Sequence, residues 1–215
     1  MKKLFLMLVV LVFISNYSIA QNYNVDYRGN TQFGLKVGVN YSSVYNTSGD
    51  GFVADPKLGF AAGAFLDLPI TRYFGFQPEI LFSQKGFSAT GSSLGSDYDL
   101  TRTLNFIDIP LLLAFKPNGL LTLVVGPQFS YLVHQKDVFS NGTMSYQEEQ
   151  NFSNDNMRKN VLCFLGGADF NLQHVIIGVR AGWDIQNNHG DGTSTTPTYK
   201  NVWYQATVAF RLFNN

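Results

Sequence analysis

A single cysteine, Cys163, excludes an internal disulfide framework, because a pair is the minimum. Metal spacing is missing as well: His134, His174 and His189 stand apart from one another and Cys163 has no partner, so no zinc site can be drawn. There is no Gly-Lys-Ser/Thr phosphate loop and no Gly-x-Ser-x-Gly elbow. Charge is scarce and balanced, with 15 basic and 15 acidic residues in 215, which excludes the basic footprint of a nucleic-acid binder. After the first twenty residues no run of 18 apolar residues occurs, so membrane-spanning helices are excluded and membrane-spanning strands are not. No cofactor is implied.

What is present begins with an export signal. Met1-Lys2-Lys3 is a short basic start, Leu4 to Ile14 is apolar, and Ser18-Ile19-Ala20 precedes Gln21. This pattern predicts a signal peptide over 1–20, cleaved before Gln21. Cleavage removes Lys2 and Lys3, leaving 13 basic against 15 acidic residues, or −2. Residues 21–31 read as a polar leader, and 32–215 as one domain of a size that suits a closed sheet.

Residues 105–133 set the pattern for that domain. Ile107, Ile109, Leu111, Leu113 and Phe115 alternate with Asp108, Pro110, Leu112, Ala114 and Lys116. A Lys-Pro-Asn-Gly turn at 116–119 follows, then Leu121, Leu123, Val125, Pro127, Phe129 and Tyr131 against Thr122, Val124, Gly126, Gln128 and Ser130. Two arms of period two around turn residues are an antiparallel hairpin. Each arm has roughly the 9–11 residues with which a tilted strand crosses a bilayer. Similar alternations recur at about 32–45, 57–69, 73–86, 160–171, 174–186 and 200–213, giving eight strands. The connections alternate long (46–56, 87–101, 135–159, 187–199) and short (near 69–72, 116–119 and 171–173). All long loops therefore emerge at one end, as in outer-membrane barrels.

Volume decides which face is inside. An eight-stranded barrel has an interior only just wide enough to be filled by side chains. The polar face here is also the small face, while the other carries Phe, Leu, Ile, Val and Trp. The bulky face then points outward into lipid, giving an all-β, eight-stranded antiparallel up-and-down transmembrane barrel of OmpA/OmpX type. A soluble lipocalin-like ligand-binding barrel would reverse the faces. The inward charges Lys36, Asp67, Glu79, Lys85, Asp108, Asp169, Arg180, Asp184 and Arg211 need partners and are expected to form an internal structural network. Read instead as an acid/base pair, Asp67 and Glu79 would stand alone at the short-turn end. An open ion channel is disfavoured because the interior is plugged. Tyr41, Tyr131, Trp183, Trp203 and Tyr204 lie near strand ends and are expected as interfacial girdles, or alternatively as a ligand-stacking surface. Rim material for catalysis is limited to His189 and Asp191 with Ser140 or Ser153, and Asp97-x-Asp99 is at best a cation pair without EF-hand order. No enzyme is expected.

Phe106-Ile107-Asp108-Ile109-Pro110-Leu111-Leu112-Leu113, followed by Gly126-Pro127, resembles the PorT-like outer-membrane β-barrel family typical of Bacteroidetes. Gly34-Leu35-Lys36-Val37-Gly38-Val39-Asn40 and Phe76-Gln77-Pro78-Glu79-Ile80-Leu81-Phe82-Ser83 with Lys85-Gly86 fit the same pattern. The resemblance covers about 32–213. It implies an eight-stranded outer-membrane barrel whose founding member is associated with protein secretion and maturation of exported proteases. The motif positions build the barrel and assign no reaction. The expectation is a monomer in outer-membrane lipid. Its long loops, above all the acidic 135–159 with Tyr146 and Phe152, would present a contact surface to an envelope or secretion-machinery protein.

Overall fold

The computed structural model describes residues 26–45, 53–93, 96–140, 145–150, 158–188 and 199–214. The expected signal peptide, leader residues 21–25, and Phe152, Ser153, His189 and Asp191 lie outside these residues. A one-turn 3-10 helix, Tyr27–Gly29, precedes nine strands: β1 Gln32–Tyr45, β2 Val53–Pro69, β3 Phe74–Ser93, β4 Ser96–Phe115, β5 Leu121–Ser140, β6 Ser145–Gln150, β7 Asn160–Leu172, β8 Val175–Asp184 and β9 Lys200–Asn214.

Every ladder is antiparallel. Eight strands form a closed ring in the order β1-β2-β3-β4-β5-β7-β8-β9, sealed where β9 pairs with β1 (Tyr41 opposite Tyr204, Val37 opposite Val208). The ninth, β6, pairs with the upper half of β5 outside the ring. Closure leaves no unpaired strand edge around the ring itself, the requirement for any sheet in hydrocarbon.

Local chemistry ends the strands at one pole. In the β2–β3 turn, Thr71 Oγ1 accepts the backbone N–H of Phe74 at 3.0 Å. In the β4–β5 turn, Asn118 Oδ1 accepts the N–H groups of Leu120 and Leu121, both at 2.9 Å. These side chains satisfy backbone donors that the turn would otherwise orphan. Between β7 and β8, Gln173 takes a left-handed φ of 32°, which lets two residues reverse the chain.

At the other pole the structure differs from the loop assignment. Residues 87–101 are not a loop: β3 runs to Ser93 and β4 starts at Ser96, with those two residues opposite each other. Residues 135–140 continue β5, and 145–150 return as β6 (Gln135 opposite Gln150, Ser140 opposite Ser145). β2 likewise starts at Val53, within the expected loop 46–56. The ladder continues past the lipid-facing band because its inner face still buries a cluster of Val44, Phe87, Ala89 and Tyr199, with Ala54 and Leu100 packed against it.

The faces follow the volume argument. Gln32, Lys36, Asn40 and Ser42 of β1 are buried, and Phe33, Leu35, Val37, Val39 and Tyr41 are exposed. This outward band spans eight residue steps, about 27 Å along the strand and about 20 Å in height at a tilt of about 40°.

The interior is not wholly polar. Leu112, Ala114, Val124, Val161, Cys163, Leu165 and Trp203 form one buried cluster, and Phe65, Ile176 and Ala209 another. Trp203 corrects the girdle assignment, since it is 1% exposed. Its phase is that of the buried Gln205, Thr207 and Arg211, and it occupies the space left by Gly182, where a Cβ would come within 2.3 Å of the indole ring. Tyr41, Tyr131, Trp183 and Tyr204 are exposed on the outer face.

Candidate functional site

The barrel interior is organised as stacked polar layers built from alternate residues of each strand. All nine inward charges, Lys36, Asp67, Glu79, Lys85, Asp108, Asp169, Arg180, Asp184 and Arg211, are buried.

Glu79 on β3 is the hub. It accepts from Lys36 Nζ at 2.7 Å, from Arg180 Nη1 and Nη2 at 2.7 and 2.9 Å, and from Gln77 Nε2 at 2.8 Å. Arg180 also donates to Asp169 at 3.2 Å. Two cations and two carboxylates from β1, β3, β7 and β8 thus form a neutral quartet. The bidentate Arg–carboxylate fork is the strongest form of such a pair.

Towards the short-turn pole, Asp67 accepts from Lys116 Nζ at 2.6 and 2.8 Å. Asp67 and Glu79 are therefore held by different cations and do not share a proton-transfer site. Lys116, read from sequence as a turn residue, is an inward charge that the nine omitted; its phase with Asp108 and Ala114 was the available signal. Arg211 donates to Gln32, Asn171 and the Gln173 carbonyl. Its guanidinium lies 5.0 Å from the centre of the Tyr27 ring.

Towards the long-loop pole, Lys85 Nζ sits 2.9 Å from Asp108 and 3.8 Å from the centre of the Trp203 ring, a buried cation–π contact. Asp184 accepts from the Asn201 backbone N–H at 2.9 Å, from Asn201 Nδ2 at 2.6 Å and from Cys163 Sγ at 3.1 Å. Above these, Arg102 forks onto Asp137 at 2.8 and 2.7 Å and donates to Tyr199 Oη at 2.6 Å.

The resemblance motifs meet inside the barrel. Lys36 of the first motif pairs with Glu79 of the second, and Lys85 of the second pairs with Asp108 of the third. Asn40 donates to Ser83 at 3.0 Å and accepts from Gln205 at 2.9 Å. Residues far apart in sequence are matched charge to charge across the lumen.

The short-turn pole carries a second arrangement that the sequence did not signal. Residues 26–30 form a strap against its turns. Asp26 is held by Arg28 and by Arg72 of the β2–β3 turn, each at 2.8 Å. Arg28 reaches the Pro117 carbonyl in the β4–β5 turn, and Gln32 donates to the Tyr27 carbonyl at 2.8 Å. The Arg28 and Arg72 side chains hold the Asp26 carboxyl well below the usual carboxylate range.

Among the described residues no cluster of three or more His, Cys, Asp or Glu side chains is placed to hold a metal ion. Ser140 ends β5, and Asp97 and Asp99 lie within β4.

An apolar exterior, a closed ladder and a charge-matched interior define a transmembrane β-barrel protein. The family model of the outer membrane protein β-barrel domain matches residues 19–190. The chain belongs to that family and is an outer-membrane protein. By the rule for such barrels the short-turn pole is periplasmic and the long-loop pole external. No curated protein matches the chain. Among solved structures it is similar to Ail, the attachment invasion locus protein of Yersinia pestis, at 16% identity over 85% of this chain and 99% of that one, TM-score 0.48. Neisserial surface protein A shares 11% identity over 84% of this chain and 97% of that one, TM-score 0.48. OprG of Pseudomonas aeruginosa shares 12% over 87% and 97%, TM-score 0.42.

Proposed function

We propose that this barrel is a non-catalytic, monomeric anchor in outer-membrane lipid that presents a raised β-sheet for contact with a partner protein outside the cell. The supporting observation is the sheet above the membrane band. Residues 53–56 of β2, 87–93 of β3, 96–104 of β4, 135–140 of β5 and 145–150 of β6 continue as one paired wall. Rigid scaffolds position recognition surfaces in this way. The outer rim strand β6 pairs only with β5 among the described residues, and sheet edges recognise extended segments through backbone hydrogen bonds. No nucleic acid and no cofactor enters this reading.

The test is to replace residues 137–148 with a two-residue turn, which keeps the Lys136–Glu149 pair of the ladder. Binding of cells to partner protein or surface should be lost while the protein still shifts on a gel between unheated and boiled samples. Unchanged binding would refute the role of the wall.

A second reading, an accessory role in protein export, rests on the PorT-like motifs at 34–40, 76–86 and 106–113. It expects gene deletion to lower secreted protein with the envelope otherwise intact, and normal secretion would remove it.

A further inference from the structure

The outer face is graded from the lipid band up to the foot of the wall. One row reads Phe82 on β3, Ile107 on β4 and Tyr131 on β5, directly opposite one another and on the lipid side. The next outward row is Gln84, Asn105 and His134; Gln84 donates to Asn105 at 3.1 Å, and His134 stands opposite Asn105. The row above that is Gly86, Thr103 and Lys136. Lys57 of β2 joins it, because its ammonium donates to Thr103 Oγ1 across Gly86.

The β3–β4 ladder is tight at this row: a Cβ on Gly86 would lie 2.1 Å from the Arg102 carbonyl. From lipid upward the surface therefore passes from apolar, to amide and imidazole, to ammonium. Four residue steps separate Ile107 from Thr103, about 13 Å along the strand and about 10 Å in height at the usual tilt. That is the order in which a bilayer presents hydrocarbon, the ester and amide zone, and headgroup phosphate.

Among the residues whose side chains are described, no carboxylate is within ion-pair distance of Lys57 or Lys136, and the neighbouring Asp137 faces inward onto Arg102. The ammonium groups of Lys57 and Lys136 lie close enough to repel each other. An anion between them would relieve that repulsion. Glu149 stands opposite Lys136 across the β5–β6 ladder, so the cationic side of the row is its β2–β4–β5 side.

We infer that Lys57, Thr103 and Lys136 form a lipid-facing site for the phosphate monoester headgroup of an outer-leaflet lipid, with the Thr103 hydroxyl between two ammonium groups. The lipid chains would lie along Leu58, Phe60 and Phe82, of which Phe60 and Phe82 stack at 5.5 Å between ring centres. This site takes the lowest row of the wall, Thr103 and Lys136, and needs no protein partner.

The test uses the full chain exported with its own signal and placed in phosphatidylcholine nanodiscs containing lipid A. Lipid retained after mild detergent extraction is counted by native mass spectrometry. Wild type should keep phosphorylated lipid A several-fold better than the enzymatically dephosphorylated form. The double variant Lys57→Gln/Lys136→Gln should lose that preference while remaining heat-modifiable. Lys200→Gln, which alters a rim lysine that donates to the Ile185 carbonyl on the other side of the barrel, should behave as wild type. Equal retention of the two lipids, retention unchanged in the double variant, or equal loss in Lys200→Gln would each overturn the site. Displacement of the lipid by millimolar inorganic phosphate would also overturn it, by showing a free-ion site in place of a headgroup site.

Discussion

Replacing Glu79 with glutamine tests the interior network where it is most concentrated. The substitution keeps the shape of the side chain and removes one negative charge. The quartet of Lys36, Arg180, Glu79 and Asp169 then carries two positive charges against one negative. Arg180 retains Asp169 at 3.2 Å, but Lys36 loses the carboxylate to which it is ion-paired. Its side chain is 2% exposed and that of Glu79 is 0% exposed, so water cannot substitute. Leaving a buried charge uncompensated costs about 3–5 kcal/mol, or about two to three and a half decades in the folding equilibrium. Lys36→Met added to Glu79→Gln restores one cation to one carboxylate, and most of the loss should return even though a second partner has been removed. Urea titration in detergent micelles, followed by the heat-modifiable gel shift, reads all three proteins. A Glu79→Gln midpoint equal to wild type, or a double variant weaker than either single change, would refute the charge-matching argument.

Three further outcomes are expected. Val37→Arg, at a position 59% exposed in the middle of the β1 band, should destabilise the barrel in lipid by about 2–4 kcal/mol; a soluble barrel would tolerate it, so unfolding in vesicles decides. Gly182→Val, whose Cβ would lie 2.3 Å from Trp203, should cost about 1–3 kcal/mol by overpacking. Gly166→Val, where the nearest atom is 3.9 Å away, should be nearly neutral, and the two are compared by urea midpoint. The strap should respond to acid alone. Because the Asp26 carboxyl is depressed from its unfolded value of about 3.9, its contribution is fully present above that value and lost as pH falls through the lower one. Trypsin cleavage after Arg28, taken relative to an unstructured arginine peptide at each pH, should therefore be unchanged from pH 6 to 8 and increase in Asp26→Asn.

The strand count, the alternation of long and short connections, and the inside-out polarity were legible because the membrane band imposes period two on every strand. Where that constraint ends, legibility ended too. Residues 87–101 and 135–140 still bury Phe87 and Ala89 on the inner face, in a cluster with Val44 and Tyr199, but Gly, Ser and Asp interrupt the outer face once it leaves lipid, so the continued pairing left no sustained apolar alternation. Trp203 was misplaced because its residue type and position near a strand end were weighed above its phase with Gln205 and Thr207. Lys116 was absorbed into the Lys-Pro-Asn-Gly turn although it shares a face with Asp108. Which charges pair could not be read at all. The partners lie 43 residues apart for Lys36 and Glu79, and 101 for Arg180 and Glu79, and only the closed ring brings them together.

That separation bears on how the chain enters the membrane. Lys36 is carried by the first strand, Glu79 by the third, Asp169 and Arg180 by the seventh and eighth. A sheet that inserted strand by strand would carry each charge into hydrocarbon before its counterion arrived, at a cost of several kcal/mol per ion. The side chains on this face can leave water together only when the last strand has met the first. Insertion and ring closure are thereby coupled into one event, and an open, partly inserted sheet is the state this interior makes hardest to populate.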